Sequence, residues 1–224
     1  MELPSALLHL LAVDELTYRL QNVSTMGQTT RSQLSPKQLS MVFQAAEVGS
    51  LPGIELPRGY ELRAFQQGDE ESWAKTLNLG GFTNWNAPKV MRYLEDPERR
   101  GGSCVVAHTA DIVSATFASR ASYRGAALST FLPSDPSNEG VVDYVVTRPD
   151  HQGKGLGRAT TVCVTKFLIA RGCETVSLST DEWRLPAIHI YLSLGFKPVM
   201  NREDMSIRWE AVLNKLKEDG RAYP

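Results

Sequence analysis

The sequence predicts an α/β (α+β) domain, a mixed sheet flanked by helices, with an extra helical segment at the N-terminus. Three observations carry this reading. "VVDYVVT", Val141 to Thr147, sets apolar and aromatic residues around one acid, the pattern of a strand buried on both faces within a parallel or mixed sheet. "HQGKGLGRA", His151 to Ala159, places three glycines two residues apart between that strand and a helix. Beyond it, helical and strand-like stretches alternate.

Taken in order, Leu7, Leu8, Leu11, Leu16 and Leu20 recur near helical spacing. A further helix is expected in "SPKQLSMVFQAAEV", where Ser35 fits an N-cap, Pro36 the first helical position and Gln38 a capping box. The glycines and prolines of "VGSLPGIELPRG" then break the chain, so residues 1–52 form the helical appendage and residues 53–224 the main domain. "YELRAF" reads as a strand and "GDEESWAKTLNLGGF" as a helix opened by acids, with a second helical stretch around "APKVMRYLEDPERR". "SCVVAHT" and "DIVSATFAS" are strands joined by a tight turn at Ala110 and Asp111, and the polar loop "LPSDPSNEG" leads into "VVDYVVT". Leu156, Ala159, Cys163, Phe167 and Ala170 mark one face of a helix that stops at Arg171 and Gly172. "TVSLST" is a strand and "LPAIHIYLSLG" a helix with Pro186 in its first turn and Gly195 past its end. "FKPVM" and "MSIRW" supply closing strands before an amphipathic tail with Ala211, Val212, Leu213 and Leu216.

Composition excludes several functions. The chain of 224 residues is 42% hydrophobic and carries 24 Lys and Arg against 25 Asp and Glu, a net charge of −1. No global field favours nucleic acid or an anionic membrane. The apolar run "LPSALLHLLAV" is too short to span a bilayer. Cys104, Cys163 and Cys173 form no CxxC pair, and their odd number fits a reduced compartment, so they are expected as buried small hydrophobes in a cytoplasmic protein with no metal site.

The glycine loop has the makings of an anion site. The first turn of a helix leaves N–H groups unpaired, the helix dipole adds positive potential, and glycine removes the Cβ that would obstruct an oxygen-rich guest. A P-loop would need a lysine followed by Ser or Thr after the last glycine, whereas Lys154 lies between the glycines. A dinucleotide site would place an acid at the end of the next strand, and "TVSLST" ends in Thr180, with Asp181 and Glu182 late.

The segment resembles the motif region of the GCN5-related N-acetyltransferases, the GNAT superfamily. "QGKGLG", Gln152 to Gly157, is similar to its acetyl-CoA signature, and "LPAIHIYLSLGF" resembles its later helix and strand. The two motifs fall in family order, and the resemblance spans roughly Val141 to Val199. It implies a mostly antiparallel sheet splayed between two central strands, with acetyl-CoA as co-substrate. The CoA diphosphate would lie on the amides of Gln152, Gly153, Lys154, Gly155, Leu156 and Gly157, with Lys154 and Arg158 adding charge at the rim. Backbone groups of Val145, Val146 and Thr147 would bond the pantetheine arm and polarise the thioester carbonyl. Where many members carry Asn ahead of the later helix, this chain has Arg184, a candidate for a phosphate or carbonyl contact.

Positioning supplies most of the rate when an amine meets a thioester, leaving two proton transfers. The resemblance makes Tyr191 the donor to the departing thiolate, alongside its place as a core aromatic. Asp143 and Glu139 are candidate bases, since both share the strand parity of Val145 and Thr147 if no bulge intervenes. Burial would raise the pKa of Asp143 toward the useful range, while pairing would make it structural. His189 turns to another helix face than Tyr191. Trp73, Trp85, Tyr93, Glu95, Arg92, Arg99 and Arg100 lie where an acceptor amine would enter, with the tryptophans weighted toward the core. The expected partners are acetyl-CoA and an amine, without nucleic acid or membrane. The N-terminal helices could form a homodimer, cover the acceptor or dock on the sheet. A non-catalytic CoA sensor or interaction module, and a dinucleotide-dependent enzyme, are the rival functions.

Overall fold

The computed structural model describes residues 38–121 and 138–221. Strands β1 (Leu39–Gln44), β2 (Tyr60–Ala64), β3 (Cys104–His108), β4 (Asp111–Arg120), β5 (Glu139–Thr147), β6 (Thr175–Thr180) and β7 (Lys197–Pro198) form one sheet in the order β2-β3-β4-β5-β6-β1-β7. Every pairing is antiparallel except β5 with β6, so the sheet is mixed and mostly antiparallel, as expected. Helices α1 (Glu70–Leu79), α2 (Ala87–Tyr93), α3 (Pro97–Gly102), α4 (Leu156–Ala170), α5 (Leu185–Ser193) and α6 (Met205–Glu218) complete the described body. None of them is long and apolar enough to cross a membrane.

Two cores flank the sheet. Trp73, Leu77, Val90, Leu94, Val105, Ile112, Phe117 and Val146 form one with α1 and α2. Leu39, Met41, Phe43, Val142, Val164, Leu168, Leu178, Ile188, Tyr191 and Trp209 form the other with α4, α5 and α6. Local signals set the element ends. Thr109 and Ala110 take positive φ of 49° and 73° in the β3–β4 turn, which matches the twist of a two-residue hairpin. The stretch "APKVMRYLEDPERR" divides in two because Asn86 and Asp96 each cap a helix, accepting from the Lys89 and Arg99 amides.

Three expectations are corrected. The helix assigned from Ser35 is strand β1 over Leu39–Gln44, paired with β6 and β7. Leu39, Met41 and Phe43 alternate and are all buried, a period of two that outweighs the capping signals upstream. The sheet therefore takes in residues assigned to the helical appendage. Ser35, Pro36 and the leucines from Leu7 to Leu20 lie outside the described residues, as does most of the loop before β5. "MSIRW" is not a closing strand but the start of α6, where Met205, Trp209, Val212 and Leu216 are buried at steps of three and four.

The third correction concerns cysteine. Cys104 and Cys163 form a disulfide with Cα atoms 6.6 Å apart, tying the start of β3 to the middle of α4, and only Cys173 is free and buried. Their separation of 59 residues leaves no local spacing signal, and the cysteine count no longer argues for a reducing compartment.

Candidate functional site

The chain leaves β5 through a 3-10 turn, Pro149–His151, and enters α4 across the glycines. Gly153 and Gly155 both take φ of 76°, a left-handed conformation that side chains resist, and Gly155 occupies the N-cap position without a side-chain cap. Gly157 is there for space, because a Cβ would stand 3.2 Å from Thr147 Oγ1. The first helical bond runs from the Ala159 amide to the Gly155 carbonyl. The six N–H groups from Gly153 to Arg158 find no acceptor among the described residues, whereas the Gln152 amide reaches the Pro149 carbonyl at 3.4 Å. Six donors in sequence at a helix N-terminus are the kind of groups that bind an anion. Lys154 Nζ donates to the Asp150 carbonyl at 3.1 Å, and Arg158 is exposed at the rim.

Beside this loop the sheet opens. β5 and β6 are in register only over Glu139–Val141 with Thr175–Ser177, so from Val142 onward the edge of β5 toward β6 has no strand partner among the described residues. This is the expected splay, and Val145, Val146 and Thr147 lie on its β5 side. Within the splayed part the register with β4 shifts by one residue, since Ala115 pairs with Val146 but Phe117 with Asp143. The extra residue is accommodated at Tyr144, whose φ is 49°. Val145 and Thr147 face Gly157 of α4, while Val146 faces α1, where a Cβ on Gly80 would fall 2.1 Å from its Cγ2.

The bulge overturns the shared parity expected of the two carboxylates. Asp143 lies on the side of α2, accepts a hydrogen bond from the Tyr93 hydroxyl at 2.9 Å, and faces away from Val145 and Thr147. Glu139 sits at the closed end of the wedge, fully buried, with Oε1 accepting from Ser177 and Oε2 lacking a partner among the described residues. Of the two, Asp143 alone neighbours the opened strand, on its aromatic side.

Tyr191 projects from α5 into the second core, 5% exposed and 6.1 Å from the Phe196 ring. Burial pushes its phenol well above the ordinary tyrosine range, against a smaller opposing pull from the Arg184 charge. Among the described residues its hydroxyl has no hydrogen-bond partner, so it retains a proton to give. Arg184 stands just ahead of α5, paired with Asp181 at 3.2 Å and stacked between Phe82 at 4.7 Å and Trp183 at 4.3 Å. His189 is half-buried, and its Nδ1 has no partner among the described residues.

Sequence reasoning placed Trp73, Trp85 and Tyr93 near the acceptor but missed that Phe82, Phe117 and Tyr144 join them beside Asp143. Tyr144 meets Phe82, Trp85, Tyr93 and Phe117 with centroids 5.1–5.9 Å apart. Trp73 stacks on Phe117 at 4.2 Å, and both tryptophans are buried, as their core weighting anticipated. Arg99 lies over the Tyr93 ring at 4.0 Å. The density of aromatics from Phe82 to Tyr93 was the available signal. Among the described residues no group of three His, Cys, Asp or Glu could hold a metal ion.

Comparison with known proteins agrees with this fold. The model of the acetyltransferase (GNAT) family matches residues 70–196. A mycothiol acetyltransferase of Thermobispora bispora is 32% identical over 162 residues, covering 65% of this chain and 49% of that protein. A mycothiol acetyltransferase of Kytococcus sedentarius is 31% identical over 68% of this chain and 50% of its own length. The chain thus spans about half the length of these relatives. Among solved structures, a GCN5-related N-acetyltransferase from Sphaerobacter thermophilus superimposes with a TM-score of 0.52 at 20% identity, covering 72% of this chain and 49% of that one.

Proposed function

Because the chain belongs to the acetyltransferase (GNAT) family, we propose that it transfers an acetyl group from acetyl-CoA to a primary amine by direct attack. The row of unpaired amides from Gly153 to Arg158, set beside the opened edge of β5, carries this reading. The diphosphate of CoA would take the amides, with Lys154 and Arg158 at its rim, and the pantetheine arm would complete the broken ladder along Val145 to Thr147. An acetyl carbonyl held there would have backbone donors ready for the charge that develops as the amine attacks.

The amine arrives from the aromatic side, where Asp143 and Tyr93 present a polar pair among rings. Asp143 lies on that aromatic side because of the bulge, and is the residue we assign to receive the amine proton. Tyr191 donates a hydrogen bond to the departing thiolate; burial weakens its phenol as an acid but keeps it un-ionised. Arg184, beside it, supplies positive potential where the thiolate forms. The relatives' name makes a mycothiol-related amine the first acceptor to assay.

Acetyl-CoA raises the melting temperature of the protein by mass action, and a panel of amines includes one that releases free CoA thiol. Absence of any thermal shift at millimolar acetyl-CoA overturns the reading. A shift without thiol release from any amine would instead mark a CoA-binding module that does no chemistry.

A further inference from the structure

We propose that Tyr60, on the far edge strand β2, is a positioning residue for the diphosphate loop and acts through His151. This rests on the acetyl-CoA reading above and adds to it a part of the chain outside both family motifs. Tyr60 lies 91 residues before His151, and its hydroxyl stands 2.9 Å from His151 Nδ1. His151 Nε2 lies 3.5 Å from Asp150 Oδ2; with the imidazole proton on that side, Nδ1 accepts from the Tyr60 hydroxyl.

The contact is braced on several sides. Tyr60 pairs across the strands with His108, and their rings lie 4.6 Å apart. The His108 and His151 rings are 5.4 Å apart, the Tyr60 and His151 rings meet edge-on at 5.7 Å, and Lys154 Nζ lies 6.0 Å above the Tyr60 ring. The next anchor is Leu156, 1% exposed, which sits with Val106 and Val113 in a small apolar cluster that Leu56, Tyr60 and Leu62 complete. Tyr60 therefore contacts the histidine that enters the loop and packs against the cluster that holds the leucine leaving it.

The physical need is plain. Gly153 and Gly155 give the loop the φ values that aim its amides, yet glycine also gives it the most freedom to leave them. A row of donors binds an anion well only if it is already ordered, and order has to come from side chains outside the glycines. The Gln152 amide group, 3.4 Å from the Thr147 carbonyl, and Lys154, bonded to the loop's own Asp150, provide little of it. Tyr60 and the β2–β3 edge provide the rest.

Acetyl-CoA and acetyl-pantetheine separate a loop effect from a general one, because the second thioester has no diphosphate. In Tyr60→Phe the ring against His108 remains and only the hydroxyl is lost. Its Kd and KM for acetyl-CoA rise about three- to tenfold, with kcat at saturation and the Kd for acetyl-pantetheine unchanged. His151→Ala reproduces this, the double variant is no worse than either single one, and His151→Asn, which keeps an acceptor near the Nδ1 position, restores acetyl-CoA binding. Equal weakening toward both thioesters, or unchanged acetyl-CoA binding in Tyr60→Phe, overturns the proposal while leaving the acetyl-CoA reading intact. Wild-type protein that binds the two thioesters equally overturns the diphosphate assignment and this proposal together.

Discussion

The two sides of β5 are built from different materials. Toward α4, Val145 and Thr147 look onto backbone, where six amides and a strand edge have no partner among the described residues. Toward α1 and α2, Asp143, Tyr144 and Val146 look onto a site built from side chains, with Phe82, Trp85, Tyr93 and Phe117 drawn from three other segments. A backbone receptor needs only the right φ values in a short stretch, so its specification is contiguous. A side-chain receptor exists only after the fold has gathered its members.

The sharpest way to break the comparison is on the aromatic side. Phe117 is fully buried and touches Trp73, Trp85, Tyr93 and Tyr144, so it is the ring the others share. Phe117→Ala should cost about 3–5 kcal/mol in chemical denaturation. The molecules that remain folded should still gain melting temperature from acetyl-CoA. Parallel loss of stability and of that response would show that the two sides are one unit.

Tyr191→Phe comes next. It removes one oxygen from a phenol that has no hydrogen-bond partner among the described residues, so stability should change little. If the phenol protonates the thiolate, kcat falls about a hundredfold with the acetyl-CoA thermal shift preserved. A kcat within a factor of two of wild type would return Tyr191 to a packing role.

Gly155→Val tests the backbone side alone. Nothing lies within 4 Å of the position a Cβ would take, so the cost is conformational, about 1–2 kcal/mol for a left-handed φ. The loop should yield before the fold does, losing acetyl-CoA binding well beyond what the change in stability explains. A variant with a full thermal shift would place the diphosphate elsewhere.

This contrast also explains what the sequence revealed. The glycine loop, α4 and the apolar run of β5 were legible because each is local: a phosphate-type turn, a 3.6-residue period and a continuous hydrophobic strand lie within a few residues of one another. The splay came from resemblance, and the register of β5 with β6 bears it out. The bulge at Tyr144 was invisible, because a single unpaired residue is decided by the partner strand and leaves no mark on composition. β1 was misread since capping residues ahead of it spoke for a helix while its packing between β6 and β7 decided for a strand. The Cys104–Cys163 bond and the Tyr60–His151 contact share that reason: both join residues brought together only by the finished sheet.

The smallest expected effect separates the two sides by acid and salt. Beside the aromatic core, Asp69 accepts two bonds from Arg63, at 2.7 and 2.8 Å, and one from the Gln66 amide, and is 8% exposed. Burial pushes its carboxyl up, but these donors outweigh it and hold it below the ordinary carboxylate range. A carboxyl lowered in the folded state gives stability that is full above its unfolded pKa and lost as pH falls through the folded one. Near the glycine loop, Asp150 is likewise held down, chiefly by its hydrogen bond from Arg148, but it is fully exposed, so salt screens the pair. Asp69→Asn should therefore lower Tm by about 2–4 °C at neutral pH, with the difference vanishing in strong acid and surviving about 0.5 M salt. Asp150→Asn should leave Tm nearly unchanged, and any difference it makes should disappear in that salt. Matching salt sensitivity for the two variants would mean that Asp69 is open to water, and that the wall between solvent and the aromatic side is thinner than its packing implies.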